Sequence, residues 1–304
     1  MKKIIIFILL IFIFVDICYS AEGGYAGSFL RIGLGARPMA LGGAFVAIDD
    51  DPYSAYYNPA GLPFLKNKYI TTSIMILSLD RTLNYLSFSR NLKPSGGFSI
   101  GWINAGVGNI DERDFEGEKI GTINYSENAF YFSFAQAFKK NVAVGLTGKI
   151  LYHKLYQITA KGFGWDFGVL IKPKRNLNFG ILIKDLNASY TWNSNKVYER
   201  GTVTEDKFPY ETRVGGAYLL EKYNMIFSSD VSKNEKSDAH IHIGIEKILY
   251  NQFSLRGGIN KNNICFGGGV RFSFLGKVSF IDYSFENVEF DESPNQILTL
   301  TLSL

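Results

Sequence analysis

Cysteine and histidine are scarce in this sequence, with two cysteines and three histidines among 304 residues. Cys18 falls within a predicted export signal, so Cys265 is the only cysteine of the mature chain, which excludes an intramolecular disulfide. The formal net charge of +4 is too small to indicate a nucleic-acid partner. A Gly-x-Ser-x-Gly nucleophile elbow is absent, so nothing supports a hydrolase. We expect no enzymatic activity and no cofactor.

Long apolar runs are missing after Val15, which argues against a transmembrane helix in the mature chain. The N-terminus has the pattern of a cleaved export signal. Two lysines precede an apolar run over residues 4–15, and small residues occupy positions −3 and −1 of a cut after Ser20. A membrane anchor and a lipoprotein signal at Cys18 are the alternatives, and Asp16 disfavours both. The first 20 residues are therefore assigned to a signal peptide.

From Lys68 to the C-terminus the chain divides into segments of about ten residues with period-two alternation, the length that a tilted strand needs to cross a bilayer. In the segment 141–150, one face carries Val142, Val144, Leu146 and Ile150, and the other carries Ala143, Gly145, Thr147 and Lys149. The segments 163–172 and 264–272 alternate in the same way. We count about fourteen candidate strands, an even number that is typical of a transmembrane barrel.

A soluble β-sandwich would show the same alternation, so the connections decide between the two folds. Every second predicted connection is short, whereas the others include long polar stretches at 107–126 and 186–207. Short connections at one end and longer loops at the other are typical of transmembrane barrels. We therefore predict an all-β fold, a transmembrane antiparallel barrel of about 14 strands over residues 68–304.

The segment 33–62, between the signal and the strands, is too irregular for a strand and too patterned for a linker. Asp51 and Pro52 suit the start of one short helix, and Asn58 followed by Pro59 suits its end. Glycines on both sides of this helix permit tight turns. The pattern indicates a compact element with a specific role.

Within this segment, GARPMALGGAFVA at 35–47 and NPAGL at 58–62 resemble the N-terminal signature of the PorV/PorQ family of FadL-like outer-membrane barrels. Weaker resemblances follow at 165–169, 179–186, 209–216 and 282–283. The resemblance implies a 14-stranded barrel whose N-terminal segment, residues 21–67, folds back into the lumen as a hatch with a short helix.

The resemblance also implies a function. PorV-type proteins serve type IX secretion, in which they receive cargo and pass it to surface-attachment machinery. FadL-type proteins are channels for hydrophobic small molecules such as long-chain fatty acids. The signature is closer to PorV/PorQ, so secretion or surface export is the first interpretation and hydrophobic uptake is the alternative. The expected partners are outer-membrane lipid and either secretion components with exported cargo or a hydrophobic small molecule, in a Gram-negative-type outer membrane.

A hatch inside a barrel needs partners for its charges, since an unpaired charge away from water is costly. We expect the charged hatch residues to meet charges on the lumen face of the strands. The hatch candidates are Arg37, Asp49, Asp50, Asp51, Asn58, Pro59 and Gly61, and the lumen charges are Lys149, Asp166, Lys172, Arg213, Arg256 and Arg271. Holding the hatch in place is favoured over direct ligand contact, and both interpretations stay open.

His240 and His242 share one face of a predicted strand, roughly 7 Å apart. With Asp238 or Glu246 they form a candidate metal site, or one of them a general base. Two imidazoles in a polar lumen need neither role, and no metal site is predicted. The aspartate run at 49–51 lacks the glycine and glutamate of an EF-hand loop, so a calcium site is not predicted either.

Overall fold

The structure, a computed structural model, describes residues 25–139, 141–195, 197–288 and 293–304. The predicted signal peptide at residues 1–20 and the first residues of the predicted hatch, 21–24, lie outside this part of the chain. None of the described helices has the length and hydropathy of a transmembrane span.

The described residues form fifteen β-strands in one sheet. They are β1 Tyr69–Ile76, β2 Arg81–Leu92, β3 Gly96–Arg113, β4 Lys119–Phe138, β5 Val142–Leu155, β6 Ile158–Lys174, β7 Leu177–Asn193, β8 Val203–Lys207, β9 Glu211–Leu220, β10 Met225–Asn234, β11 His240–Leu249, β12 Phe253–Asn260, β13 Asn263–Phe274, β14 Lys277–Asn287 and β15 Asn295–Ser303. Antiparallel pairing passes from β7 to β9 and closes between β15 and β1. Fourteen strands thus form a closed barrel, which confirms the predicted fold, and β8 pairs only with the far half of β7.

The strands alternate between an apolar outer face and a lumen face of small and polar residues. In β5, Leu146 and Ile150 are 46% and 62% exposed, whereas Thr147 and Lys149 are buried. In β1, Ile74 is exposed and Ser73 is buried. A surface of exposed isoleucine, leucine and phenylalanine is unfavourable in water and favourable in hydrocarbon. The outer face of the barrel is therefore suited to contact with lipid, as the alternation predicts.

The connections differ between the two ends of the barrel. Connections at one end are short, such as 93–95 and 275–276, and we call this the turn end. The opposite end, called the hairpin end, carries the two long excursions. The sequence predicted loops there, but β3 and β4 stay paired as far as Arg113 and Lys119, and β7 continues to Asn193 to pair with β8. That prediction was wrong because the two strands of a hairpin pair their backbone N–H and C=O groups with each other, and this pairing does not require alternation of apolar residues.

Residues 25–67 lie in the lumen as an irregular chain with four short helical turns. These are a 3₁₀ helix at Ser28–Arg31, α-helices at Ala36–Ala40 and Ser54–Tyr57, and a 3₁₀ helix at Pro59–Phe64, while one more 3₁₀ turn, Glu221–Tyr223, joins β9 to β10. Leu41, Phe45 and Leu62 are fully buried. The hydrophobic core of the molecule is thus largely this segment packed against the inner wall. We call residues 25–67 the hatch.

Only one hatch helix was predicted, and it begins later than expected. Asp51 Oδ1 accepts a hydrogen bond from Tyr53 N at 2.8 Å, which closes a turn just before the helix Ser54–Tyr57. Asn58 ends this helix and caps the next, since its Oδ1 accepts from Ala60 N at 3.1 Å. The helix Ala36–Ala40 was missed because its N-cap is Gly35, which offers no side-chain cap.

Candidate functional site: the hatch and the cavity above it

Glycines on the lumen face let the hatch backbone lie directly against the barrel wall. A Cβ at Gly145 would lie 2.5 Å from the Ala60 backbone nitrogen, and one at Gly244 would lie 2.7 Å from the Leu41 carbonyl oxygen. Such distances leave no room for any other residue. The glycines that contact the hatch backbone in this way are Gly97, Gly145, Gly180, Gly244 and Gly258, and we call them the glycine seat. The hatch is therefore fitted to the wall on five strands.

Arg37 connects the hatch to the wall through two carboxylates. Its Nη1 donates to Asp51 at 2.7 Å within the hatch, and its Nη2 donates to Glu246 on β11 at 2.7 Å. Burial lowers the pKa of Arg37, but the carboxylates of Glu246 and Asp51 outweigh it and raise the pKa above its ordinary value. Arg256 extends this network, with Nε 2.7 Å from Glu246 and Nη1 2.6 Å from Asp282. Arg37 of the hatch and Arg256 of the lumen face, both predicted from the sequence, thus meet through Glu246, which the sequence analysis named only as a possible metal ligand.

The first two aspartates of the run have separate partners near the turn end. Asp49 pairs with Lys172 on β6, a contact between a hatch acid and a lumen base of the predicted kind. Asp50 pairs with Lys66 within the hatch, and its Oδ1 accepts from Lys66 N at 3.0 Å. Burial raises the pKa of Asp50, and the Lys66 ammonium partly opposes this rise. The run therefore acts as three separate joints rather than as one acidic site.

A second buried network holds the N-terminal part of the hatch. Arg31 Nη2 lies 3.0 Å from Asp185 on β7, and Asp185 also pairs with Lys149 on β5. Lys149 Nζ lies 2.6 Å from Asp166, which in turn accepts from the Asp185 backbone N–H at 2.8 Å. Two lumen charges expected from the sequence, Lys149 and Asp166, thus act on the hatch through Asp185.

Backbone groups of the hatch are held by three further wall residues. Asp230 Oδ2 accepts from the N–H groups of Phe45 and Val46 at 2.7 and 2.9 Å. Arg213 Nη1 donates to the Gly43 carbonyl at 2.9 Å. His242 Nδ1 lies 2.9 Å from the Gly42 carbonyl, which can only accept, so this nitrogen carries the proton. These bonds fix the glycine-rich turn of the signature to β9, β10 and β11.

Of the two histidines, His242 has this structural role. His242 Nε2 accepts from Ser232 at 2.9 Å, so both ring nitrogens are engaged. His240 lies at the rim of a cavity described below. Within the described ranges, no group of three His, Cys, Asp or Glu side chains has the arrangement of a metal site.

Asn58, Pro59 and Gly61 fit the hatch to the wall by shape. The Asn58 amide donates to the carbonyls of Val46 and Val169 at 2.8 and 3.0 Å, so it joins two hatch segments to β6. A Cβ at Gly61 would lie 2.6 Å from Ser54 Oγ, and Pro59 packs against Gly145 of the glycine seat. The structure gives all three residues a positioning role.

Arg271 differs from the prediction. It is exposed near the turn end of β13, and its guanidinium lies 5.4 Å from the centre of the Phe280 ring rather than against the hatch. The alternation gives Arg271 the lumen register but does not reveal how far the hatch extends along the strand. The sequence analysis also missed Arg31, Asp185, Asp230 and Asp282. For Asp185 and Asp282 a signal existed, since both lie in the weaker stretches of the resemblance.

A cavity of about 390 Å³ lies above the hatch at the hairpin end. Its floor includes Arg31, Met39, Tyr56 and Tyr57, and its walls come from β2, β7, β9–β15 and the turns between them. The lining mixes charged side chains such as Arg213 with apolar ones such as Leu182. The structure thus combines a lumen that holds the hatch with a recess on the hairpin-end side of the hatch.

No family model matches the sequence, and no curated protein matches it. Solved structures share its fold at low sequence identity. The Pseudomonas putida toluene transporter TodX matches with a TM-score of 0.63 and 12% identity over 88% of this chain and 96% of that chain. The monoaromatic hydrocarbon channel CymD matches with a TM-score of 0.60 and 11% identity over 90% and 98% of the two chains.

A FadL homologue from Pseudomonas aeruginosa matches with a TM-score of 0.58 and 10% identity over 85% of this chain and 95% of that chain. At such identities the likeness concerns the fold. It extends over nearly the full length of each of these channels. The chain therefore has the fold of the FadL-like channels, a closed 14-stranded barrel with its N-terminal segment inside.

Proposed function

We propose that the protein is an outer-membrane channel that admits small hydrophobic organic molecules and is gated by its hatch. The observation that carries the proposal is the seating of residues 25–67 against the glycine seat, which seals a barrel that would otherwise enclose a wide lumen. A sealed lumen with a recess at one end suits a gated passage better than a structural role.

The outer surface and the comparisons support this proposal. A continuous apolar exterior on a closed barrel fits an outer-membrane location. The structures with the same fold are described as a toluene transporter, a monoaromatic hydrocarbon channel and a FadL homologue. Transport chemistry needs no catalytic group, and the buried charges here are engaged in holding the hatch.

The secretion role implied by the PorV/PorQ resemblance has no support from these comparisons. The alternative of the sequence analysis, hydrophobic uptake, is the better-supported function. Secretion partners and cargo stay a prediction of the resemblance, and a genetic experiment separates the two roles.

The experiment compares a deletion strain with the same strain carrying either the wild-type gene or the gene for a control variant that still folds. Uptake of radiolabelled toluene and of radiolabelled oleate is measured beside the surface protein profile. We expect uptake of at least one probe to fall in the deletion strain and to return with the wild-type gene, while surface proteins stay unchanged. Unchanged uptake of both probes together with loss of surface proteins would overturn the channel in favour of secretion.

A further inference from the structure

We propose that the cavity above the hatch binds an aromatic carboxylate, a small organic molecule that joins an apolar ring to one negative charge. This inference rests on the proposed channel function and names the class of molecule that its recess selects. It is carried by two buried guanidinium groups at the cavity, by the arrangement of the carboxylates around them, and by the rings that lie beside them.

Arg31 and Arg213 both line the cavity, and each has unused hydrogen-bonding capacity. Arg31 directs Nη2 to Asp185 and to the Pro209 carbonyl, while its Nε and Nη1 are buried without a partner. Arg213 donates through Nη1 to Gly43, and its Nε is likewise buried without a partner. The Arg31 side chain is only 9% exposed, so an unmade charged hydrogen bond there is costly. Because these nitrogens are buried, an anion in the cavity would satisfy them once the two side chains turn toward it.

The two carboxylates of the lining each have a partner, and Glu211 occupies Arg213 Nη2 rather than the unpartnered Nε. Glu211 Oε1 lies 3.2 Å from Arg213 Nη2. Glu286 accepts from the side-chain amides of Asn260 and Asn295 at 2.7 and 3.0 Å. Altogether the lining carries five arginines and lysines against two glutamates, which favours an anion over a cation.

Aromatic rings beside the two arginines favour a flat ligand. Tyr25, Tyr56 and Tyr57 line the same cavity, and the Arg31 guanidinium lies 5.2 Å from the centre of the Tyr25 ring. The volume of about 390 Å³ accommodates a single-ring acid, and the lining joins polar groups to apolar ones. Ring and carboxylate together match the two kinds of surface present.

The test measures binding of benzoate and benzamide to the purified protein in detergent by isothermal titration calorimetry. The two probes have the same shape and differ in charge. We expect benzoate to bind at least about tenfold more tightly than benzamide at low salt, because charge-assisted hydrogen bonds exceed neutral ones by roughly that factor. The preference should weaken as salt is added.

Variants then locate the site. Arg31→Gln and Arg213→Gln should each remove most of the preference for benzoate, whereas Arg271→Gln, an exposed arginine at the turn end, should retain it. Equal binding of benzoate and benzamide by the wild-type protein would overturn the inference even if neither variant folds. A preference that survives in a folded Arg31→Gln, Arg213→Gln double variant would overturn the site.

The outcome is separable from that of the proposed function. If the gene restores toluene or oleate uptake but the protein shows no benzoate preference, the anion site fails and the channel stands. If the benzoate preference depends on Arg31 and no probe is taken up, the anion site stands and the channel fails.

Discussion

Arg37 of the hatch and Glu246 of β11 form a bidentate ion pair, with Nε donating to Oε1 at 3.2 Å and Nη2 donating to Oε2 at 2.7 Å. Glu246 Oε1 also accepts from Arg256 Nε at 2.7 Å. One carboxylate thus joins a hatch cation to a wall cation, and its side chain is only 2% exposed. We expect hatch position to depend on this residue more than on any of the exposed acids.

Glu246→Ala should destabilise the folded barrel by about 3–5 kcal/mol, because it leaves Arg37 and Arg256 without their shared carboxylate in a buried site. The free energy of unfolding is measured in urea on protein folded into liposomes. Ion conductance in planar bilayers should rise in the same variant as the hatch loosens. Glu205→Ala, on exposed β8, is the control and should change neither quantity. Wild-type unfolding free energy and conductance for Glu246→Ala would show that the other ion pairs of the hatch are enough to hold it in place.

The neighbouring glycines Gly257 and Gly258 provide a matched pair on opposite faces of β12. A Cβ at Gly258 would collide with the backbone at Leu41 and Gly42, whereas one at Gly257 would have its nearest neighbour at 3.9 Å. Gly258→Ala should therefore cost about 1–3 kcal/mol of unfolding free energy and increase conductance. Gly257→Ala should leave both near wild type. Equal effects of the two substitutions would refute the glycine seat.

An arginine substitution tests which face of a strand contacts lipid. Phe266 is 58% exposed on the outer face of β13, so Phe266→Arg should cost about 2–4 kcal/mol if that face lies in hydrocarbon. Tyr250, 92% exposed in the β11–β12 turn, is the control, and Tyr250→Arg should cost at most about 1 kcal/mol. Folding into liposomes is followed by the mobility of unheated protein on gels. Efficient folding of both variants would argue against a membrane position for Phe266.

The unfolding free energy should depend on pH through the carboxyl group of Asp50 in the hatch. Burial raises the pKa of its carboxyl above 3.8, the value for the unfolded chain, so the folded state favours the protonated form. Its contribution to stability is therefore complete below pH 3.8 and is lost as the pH rises through the folded-state pKa. The unfolding free energy of the wild type relative to Asp50→Asn should fall across that window. A difference that grows with pH would show that the ion pair with Lys66 dominates.

The barrel was predictable because alternation is a local property. The residues from Val142 to Ile150 reveal their two faces without knowledge of any partner strand, and the parity of the connections separates a barrel from a sandwich. The extent of the hairpins was not predictable in this way. Beyond Val107 the strands β3 and β4 lie outside the apolar belt, so pairing continues without the pattern that reports it.

The hatch likewise has local features that the sequence predicted and long-range contacts that it did not. Asp51, Asn58 and Pro59 indicated the helix Ser54–Tyr57 because capping and the restriction before proline act over a few residues. The pairing of Asp49 with Lys172, of Arg31 with Asp185 and of Arg37 with Glu246 joins residues 123 to 209 positions apart. A sequence shows that such charges need partners but not which partners they find.

The sequence by itself predicted an export signal. It determined the two-faced strands and the presence of a specialised segment before them, since these features depend on neighbouring residues. Only the tertiary structure decided how that segment is used. Closure of the sheet brings glycines from five strands against one backbone and gathers Asp230, Glu246 and Asp185 around it. Low-dielectric burial then makes each of these distant pairs a joint of the hatch, because a charge or backbone group left unpaired there would be costly.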